Sequence, residues 1–169
     1  KGHATDLFSD WAVEYIKSRV GQESPFFLFL SYNAPHTPIQ PPKEWTVRVK
    51  EREKGISEQR ARLVALIEHM DEGIGRVIDG LRKSGQYDNT LIIFTSDNGG
   101  QGNVGARNAP WKGEKQQMWE GGLRVPTCAS WTGKIKPGSL FDGDAMTMDW
   151  LPTLAEVAGV PAPEGVEGK

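Results

Sequence analysis

Apolar residues recur at helical spacing between roughly Ser57 and Ser84, where they alternate in steps of four and three. This pattern predicts a long amphipathic helix that a Ser57 cap begins and Gly85 ends. Its apolar positions are Leu63, Ile67, Met70, Ile74, Val77 and Leu81. His69 lies beside this apolar stripe, so we interpret it as a structural histidine rather than a catalytic one.

Two shorter segments show the same periodicity. The first begins at a Thr5 or Asp6 cap and ends near Gly21, and it predicts a surface helix with one packed face. Its apolar positions are Phe8, Trp11, Tyr15 and Ile16. The second covers residues 149–158, with Pro152 in its first turn. Its predicted inward positions are Leu151, Leu154 and Val157.

Three apolar runs without helical spacing predict strands. Residues 26–30 and 91–95 are bounded by turn-forming residues, which is typical of strands buried on both faces of an α/β sheet. Residues 125–131 predict a third strand, which would hold Cys128 as a small buried side chain. The order of strand, long helix and strand describes a βαβ unit, whose two strands are parallel.

Two connections complete the pattern. Residues 31–42 are dense in proline and predict a loop, because proline is excluded from helix interiors and central strands. Residues 43–56 are rich in Lys, Arg and Glu around Trp45, which indicates a solvated connection with some helix.

Composition narrows the class of protein. The chain has 169 residues, a net charge of -2 and a pI near 6.0, so we expect one domain and no nucleic-acid partner. No apolar run reaches the length of a transmembrane helix, so we expect no membrane span in this chain. A single cysteine excludes an internal disulfide framework. The 20 glycines and 11 prolines lie mostly between the apolar runs, which points to long functional loops on an α/β scaffold.

The end of the strand at 91–95 carries the clearest candidate chemistry. Asp97 and Asn98 offer only oxygen ligands, and Gly99 and Gly100 allow the backbone to bend sharply beside them. Oxygen ligands suit calcium or magnesium rather than zinc. Asp-Asn-Gly-Gly is also a good turn sequence, so a plain turn is the alternative for these residues taken alone.

A histidine and three cations are further candidates. His36 lies between prolines after the strand at 26–30, and parallel strands place their carboxyl ends at one edge of a sheet, so His36 would meet Asp97 there. Lys112, Lys115 and Arg124 could neutralise an anionic substrate beside a metal. Ordinary surface positions are the alternative for all three cations.

Three separated motifs in register resemble the type I sulfatases of the alkaline phosphatase superfamily. They are FLFLSYNAPHTP at residues 27–38, TSDNGG at residues 95–100 and GEKQQMWEGGLRVP at residues 113–126. The segment DWLPTL at residues 149–154 is similar to the helix that follows in that family. The resemblance implies an alkaline phosphatase-like layered α/β fold, with a mostly parallel central sheet flanked by helices.

The resemblance also implies a mechanism, in which a formylglycine hydrate attacks the sulfur of a sulfate ester while one calcium ion, less favourably magnesium, polarises the sulfate oxygens. Asp97 and Asn98 match metal ligands of the family. His36 matches the histidine near the bridging oxygen, a catalytic and substrate-binding residue that would donate to the departing alcohol. Lys115 matches the catalytic lysine that binds the sulfate. The implied partner is a sulfated small molecule or glycan, and the implied location is periplasmic, secreted or lysosomal.

The chain departs from the family pattern in lacking the Cys- or Ser-x-Pro/Ala-x-Arg motif of the nucleophile, since Ala129 to Thr132 after Cys128 do not match it. We therefore expect residues 1–169 to be the middle and later part of a catalytic domain, without its N-terminal part and C-terminal subdomain, inactive alone and prone to self-association. The alternatives are a phosphodiesterase or phosphonate hydrolase of the same superfamily, which Asn98 disfavours because an amide suits zinc less than histidine does, and a non-catalytic sulfate- or glycan-binding relative.

Overall fold

Three helices pack together in the first part of the chain. The computed structural model describes residues 2–169, and in it α1 spans Ala4–Ser18, α2 spans Lys43–Arg52 and α3 spans Glu58–Lys83. Both α1 and α2 pack against α3. None of the helices in the described part is both long and apolar enough to cross a bilayer.

The prediction for α3 is confirmed at both ends. The Ser57 hydroxyl accepts a hydrogen bond from the Arg60 N–H at 3.3 Å, which satisfies one of the free donors of the first turn. Gly85 follows the helix with a φ of +72°, the left-handed conformation that favours glycine after a helix end. Met70 and His69 are buried, so both lie in the packed interior as predicted.

The predicted cap of α1 is wrong, and its predicted packed face is correct only at Ile16, which is buried. His3 caps the helix, because its Nδ1 accepts a hydrogen bond from the Thr5 N–H at 3.2 Å. Trp11 is 56% exposed, and Tyr15 also faces outward. The buried positions are the smaller Thr5, Ser9 and Ala12 together with Ile16. Small residues face inward because α1 packs closely on α3. A Cβ on Gly73 of α3 would lie only 2.5 Å from the Ser9 Oγ.

Residues 43–56 are more ordered than a solvated connection. Most of them form α2, whose Val49 is fully buried against Ala61 and Ala65 of α3. The half-buried side chains around this core are Trp45, Ile56 and Val64. The charged residues of α2 face solvent, which is why composition alone indicated a solvated segment.

Two short strands, β1 at Ile92–Thr95 and β2 at Thr127–Ser130, confirm two of the three predicted strands. They pair antiparallel, with Ile92 opposite Ser130 and Thr95 opposite Thr127. No parallel pair occurs within residues 2–169, so the predicted βαβ unit is not formed there. β1 has a single neighbouring strand, which leaves Phe94 and Thr95 exposed rather than buried on both faces.

The predicted strand at residues 26–30 is wrong for the described part of the chain. The segment is extended but pairs with no strand, and Phe27 and Phe29 are 70% and 80% exposed. Cys128 in β2 is exposed, which contradicts its prediction as a buried side chain. Both errors have one cause, because burial of these residues requires further strands beside them.

A short helix, α4 at Glu120–Leu123, precedes β2, and α5 at Trp150–Val157 confirms the predicted last helix with Pro152 in its first turn. α5 belongs to a second compact unit that begins at Lys136, after a first unit that ends at Ile135. The predicted inward face of α5 is only partly correct. Ala155 is buried, whereas Leu151 and Val157 are about half exposed.

Candidate functional site

Asp97 and Asn98 form the tip of a turn that two backbone hydrogen bonds hold at its ends. The Ser96 N–H donates to the Pro126 carbonyl at 3.2 Å, and the Gly99 N–H donates to the Gly122 carbonyl at 3.0 Å. These bonds continue the pairing of β1 and β2 beyond the last ladder position. The turn is therefore fixed against the segment that precedes β2.

Close backbone packing explains the glycines of this turn. A Cβ on Gly99 would overlap the carbonyl oxygen of Gly121, and a Cβ on Gly121 would overlap the carbonyl oxygen of Gly113. Both Gly99 and Gly121 are buried. Glycine is therefore required here by the close approach of one backbone to another.

Lys115 is tied to the same turn. Its N–H donates to the Gly100 carbonyl at 3.2 Å. The Asn108 side chain accepts from the Gly100 N–H at 3.0 Å and donates to the carbonyls of Gly100 and Gly113 at 2.8 and 3.0 Å. Asn108 thus joins the metal-candidate turn to the loop that carries Lys115. The sequence analysis missed this residue, although an asparagine within a glycine-rich loop is the available signal.

The three cations of this loop differ in what they contact. The Lys112 ammonium lies 3.9 Å from the centre of the Trp119 ring, and the Arg124 guanidinium lies 4.3 Å from the Trp111 ring and contacts Glu120. Lys115 is half-buried and takes part in no ion pair or cation–π contact among residues 2–169. Its charge is therefore the one of the three that is available to an anion.

His36 lies in a separate loop. Its Nδ1 lies 2.8 Å from the Thr37 carbonyl, which can only accept, so this nitrogen carries a proton and Nε2 has no hydrogen bond to a described residue. Its N–H donates to the Asn33 carbonyl at 2.8 Å. The hydrogen bonds of His36 with described residues stay inside its own loop, and none reaches Asp97, Asn98 or Lys115. The structure thus links the turn of Asp97 and Asn98 to the loop of Lys115 through the backbone. The approach of His36 to these residues stays a prediction.

Tyr32 anchors the loop of His36 to α1. Its hydroxyl lies 2.8 Å from the Ser9 Oγ, and Ser9 Oγ in turn donates to the Thr5 carbonyl at 2.8 Å. Burial raises the pKa of the Tyr32 hydroxyl above its ordinary value, against the opposing effect of the Ser9 hydrogen bond. The histidine loop therefore starts from a fixed point on the helical core.

The Asp97 and Asn98 side chains fit a hard cation in the type of atom they offer. The Asn98 Nδ2 donates to the Gly99 carbonyl at 2.9 Å, which leaves its Oδ1 as a free acceptor. The Asp97 carboxylate is exposed and pairs with no cation among the described residues. Calcium takes about six to eight oxygens, so these two residues could supply only part of its shell.

The chain is similar in sequence and in fold to known proteins. The family model described as Sulfatase matches residues 1–160. An uncharacterized sulfatase, YdeN, of Escherichia coli is 35% identical over 99% of this chain, and N-acetylgalactosamine-6-sulfatase of the mouse is 30% identical over 96%. The crystal structure of Ps i-CgsB in complex with k-i-k-neocarrahexaose superposes with a TM-score of 0.91 at 37% identity and covers 98% of this chain.

The similarity has a defined extent. The chain spans 30% of the length of both curated relatives and 36% of the Ps i-CgsB chain. Within that span, the similarity to solved structures confirms the predicted alkaline phosphatase-like α/β fold class in partial form. The matched family model covers the Asp97 turn, Lys115 and His36 alike, and the chain belongs to the Sulfatase family.

Proposed function

We propose that the protein hydrolyses sulfate esters and that Lys115, Asp97, Asn98 and His36 form part of its active site. The observation that carries this proposal is the backbone hydrogen bond from Lys115 to Gly100, which joins the loop of a lysine without an ion pair among residues 2–169 to the turn that carries Asp97 and Asn98. A cation next to a calcium-type ligand pair suits a substrate with several anionic oxygens.

The residues of this chain would bind and orient the sulfate. Lys115 would hold the sulfate oxygens and stabilise the charge that develops on them. His36, whose Nδ1 proton is donated to the Thr37 carbonyl, would act as the imidazolium, with a second proton on Nε2 that it gives to the bridging oxygen as the alcohol departs. For this role the loop of His36 must face the Asp97 turn in the assembled protein.

Asp97 and Asn98 would hold part of a calcium shell, and the bound ion would polarise the sulfate oxygens. The nucleophile, by family resemblance a formylglycine, would come from outside this chain, since the chain contains no matching motif. We therefore propose that residues 1–169 alone hydrolyse no sulfate ester. Turnover of an aryl sulfate by this piece above its own Lys115→Ala background would contradict that statement.

The test of the proposed activity uses the full-length protein and nitrophenyl sulfate. Lys115→Ala should lower kcat/KM by at least about 100-fold, the typical loss when one donor to a developing oxyanion is removed. Lys112→Ala is the matched control, because this neighbouring lysine already lies over the Trp119 ring, and it should stay within a few-fold of the wild type. Equal losses in both variants, or none in either, would contradict the assignment of Lys115.

Two further measurements separate the alternatives. Removal of calcium by a chelator should abolish turnover, and Asp97→Asn should raise the calcium concentration that restores it. An aryl phosphonate monoester should be a poorer substrate than the sulfate, because Asn98 offers an amide oxygen where a zinc site would favour imidazole. Binding of sulfated compounds without turnover by the full-length protein would instead favour a non-catalytic relative.

We propose a sulfated small molecule or glycan as the substrate. The complex of Ps i-CgsB with k-i-k-neocarrahexaose supports the glycan, since that protein is 37% identical over nearly the whole chain. Release of inorganic sulfate from a panel of sulfated oligosaccharides, compared with release from nitrophenyl sulfate, would test this choice. A uniform preference for the small aryl ester would argue against the glycan.

A further inference from the structure

Outside the proposed active site, His3, Asp6 and His69 place two imidazoles and a carboxylate at one point between α1 and α3. One ligand atom from each of the three lies within 4.8 Å of the others. His69 is 4% exposed, and its Nε2 lies 3.0 Å from the Asp6 Oδ1. We infer that this cluster binds a divalent transition metal of the zinc type.

The hydrogen bonds of His3 prepare it as a ligand. Its Nε2 lies 3.0 Å from the Gln40 carbonyl, which only accepts, so Nε2 carries the proton and Nδ1 keeps its lone pair. Metal-bound histidines commonly donate their second N–H to a carbonyl in this way. The Thr5 N–H now contacts Nδ1 at 3.2 Å, at the long end of the hydrogen-bond range, so a metal would displace only a weak bond.

His69 can turn from a partner of Asp6 into a second ligand at small cost. With its proton on Nε2, it donates to Asp6, and its buried Nδ1 has no hydrogen-bond partner. When the metal takes the Nε2 lone pair, the proton resides on Nδ1, and coordination of the ion by Nε2 and Asp6 replaces the hydrogen bond between them. Zinc ligands lie about 2.0–2.2 Å from the ion, which puts tetrahedral ligand atoms roughly 3.4 Å apart. Ligand atoms within 4.8 Å of one another must therefore close by about 1.4 Å at most.

The surroundings of the cluster leave room and favour a cation. The three residues line an open cleft of about 630 Å³, which provides the fourth coordination position for water. Glu44, Glu72 and Arg48 also line the cleft, and Arg76 contacts Glu72 from beside it. Arg76 lies 3.5 Å from the Asp6 carboxylate but forms its shorter ion pair, 2.6 Å, with Asp10, so Asp6 stays available.

Two imidazoles with one carboxylate and no thiolate suit zinc, cobalt or nickel, whereas calcium prefers oxygen alone. This difference separates the cluster from the proposed calcium site at Asp97. The inference does not depend on the proposed sulfatase activity, because it concerns residues of α1 and α3 that the reaction does not use.

The experiment titrates the metal-stripped full-length protein with Co²⁺ in excess Ca²⁺ and follows the visible absorption of the bound cobalt. We expect one equivalent of Co²⁺ to bind, to be displaced by Zn²⁺ and to be unaffected by Ca²⁺. His3→Gln and Asp6→Asn should each weaken binding at least about tenfold. Both substitutions replace half-buried side chains, so circular dichroism should show an intact fold. His69 is left unchanged because substitution of this buried residue could disrupt the fold.

Two variants serve as controls. Glu44→Gln removes a carboxylate from the same cleft, and His36→Gln removes an imidazole from another loop. Both should bind Co²⁺ nearly as the wild type does. The inference is overturned if the wild type holds no cobalt that zinc displaces, or if His3→Gln and Asp6→Asn bind it as tightly as the controls.

Discussion

Lys115 shows that a motif can identify a candidate anion-binding residue but cannot show whether its charge is free of other contacts. Its place in the GEKQQMWEGG segment indicates an anion-binding role, but by charge alone Lys112 and Arg124 are equally good candidates for that role. The structure separates them, because Lys112 and Arg124 lie on tryptophan rings and Lys115 does not. Such contacts depend on how the loop folds back on itself, which the order of residues does not reveal.

Gly99 is the residue whose substitution should disturb the site most directly. In Gly99→Ala the new methyl group would collide with the Gly121 carbonyl. We therefore expect the free energy of unfolding to fall by about 1–3 kcal/mol, the typical cost of overpacking. Urea denaturation measures this loss. Gly80→Ala is the control, since its Cβ would meet Val13 at an ordinary 3.5 Å and alanine favours the helix. An equal stability of both variants would contradict the close approach.

Tyr32 gives a prediction for alkaline pH. Because burial raises its pKa in the folded protein, the unfolded chain ionises first, near the ordinary value of about 10. The contribution of Tyr32 to stability is therefore complete below that pH and is lost as pH rises through the folded-state pKa. Unfolding measured from neutral to alkaline pH should show a shallower decline in Tyr32→Phe than in the wild type. The same slope in both proteins would contradict this assignment.

At the scale of elements, the sequence predicts a helix more reliably than it predicts the face that the helix buries. Spacing and caps correctly located α3, and apolar content located β1 and β2. The sequence predicts the packed face of α1 correctly at Ile16 but wrongly at Trp11 and Tyr15, because it favours large aromatic residues in the interior. The real contact between α1 and α3 uses small residues such as Ser9 and Gly73, whose value lies in close approach rather than in apolar area.

Two glycines of α3 test this close approach. A Cβ on Gly73 would lie 2.5 Å from the Ser9 Oγ, whereas a Cβ on Gly75 would meet nothing within 4 Å. Gly73→Ala should lower the thermal midpoint, because α1 must shift or Ser9 must give up its bond to Tyr32. Gly75→Ala should raise stability by about 0.5–1 kcal/mol, since alanine favours a helix. Stabilisation by both substitutions would show that the two helices are not in tight contact at Ser9.

In the whole molecule, the pairing of strands is the feature that local sequence patterns could not predict. Strand length and apolar content were readable at residues 26–30, but pairing needs a neighbour, and no strand of the described residues lies there. The parallel arrangement expected to bring His36 to Asp97 depended on that pairing. The motifs predict the family without this strand pairing. The approach of the His36 loop to the Asp97 turn depends on it and stays a prediction.

Exposed apolar side chains on an unpaired extended segment favour association with another chain. We expect the isolated 169-residue chain to elute as a dimer or larger species in size-exclusion chromatography. Phe29→Ser should shift it toward monomer, because Phe29 is 80% exposed on this segment. Phe141→Ser removes an equally exposed phenylalanine, at 79%, from elsewhere in the chain and should change little. If the unmodified chain elutes as a monomer and unfolds cooperatively, the prediction is wrong. The chain would then fold stably without a second chain paired to residues 26–30.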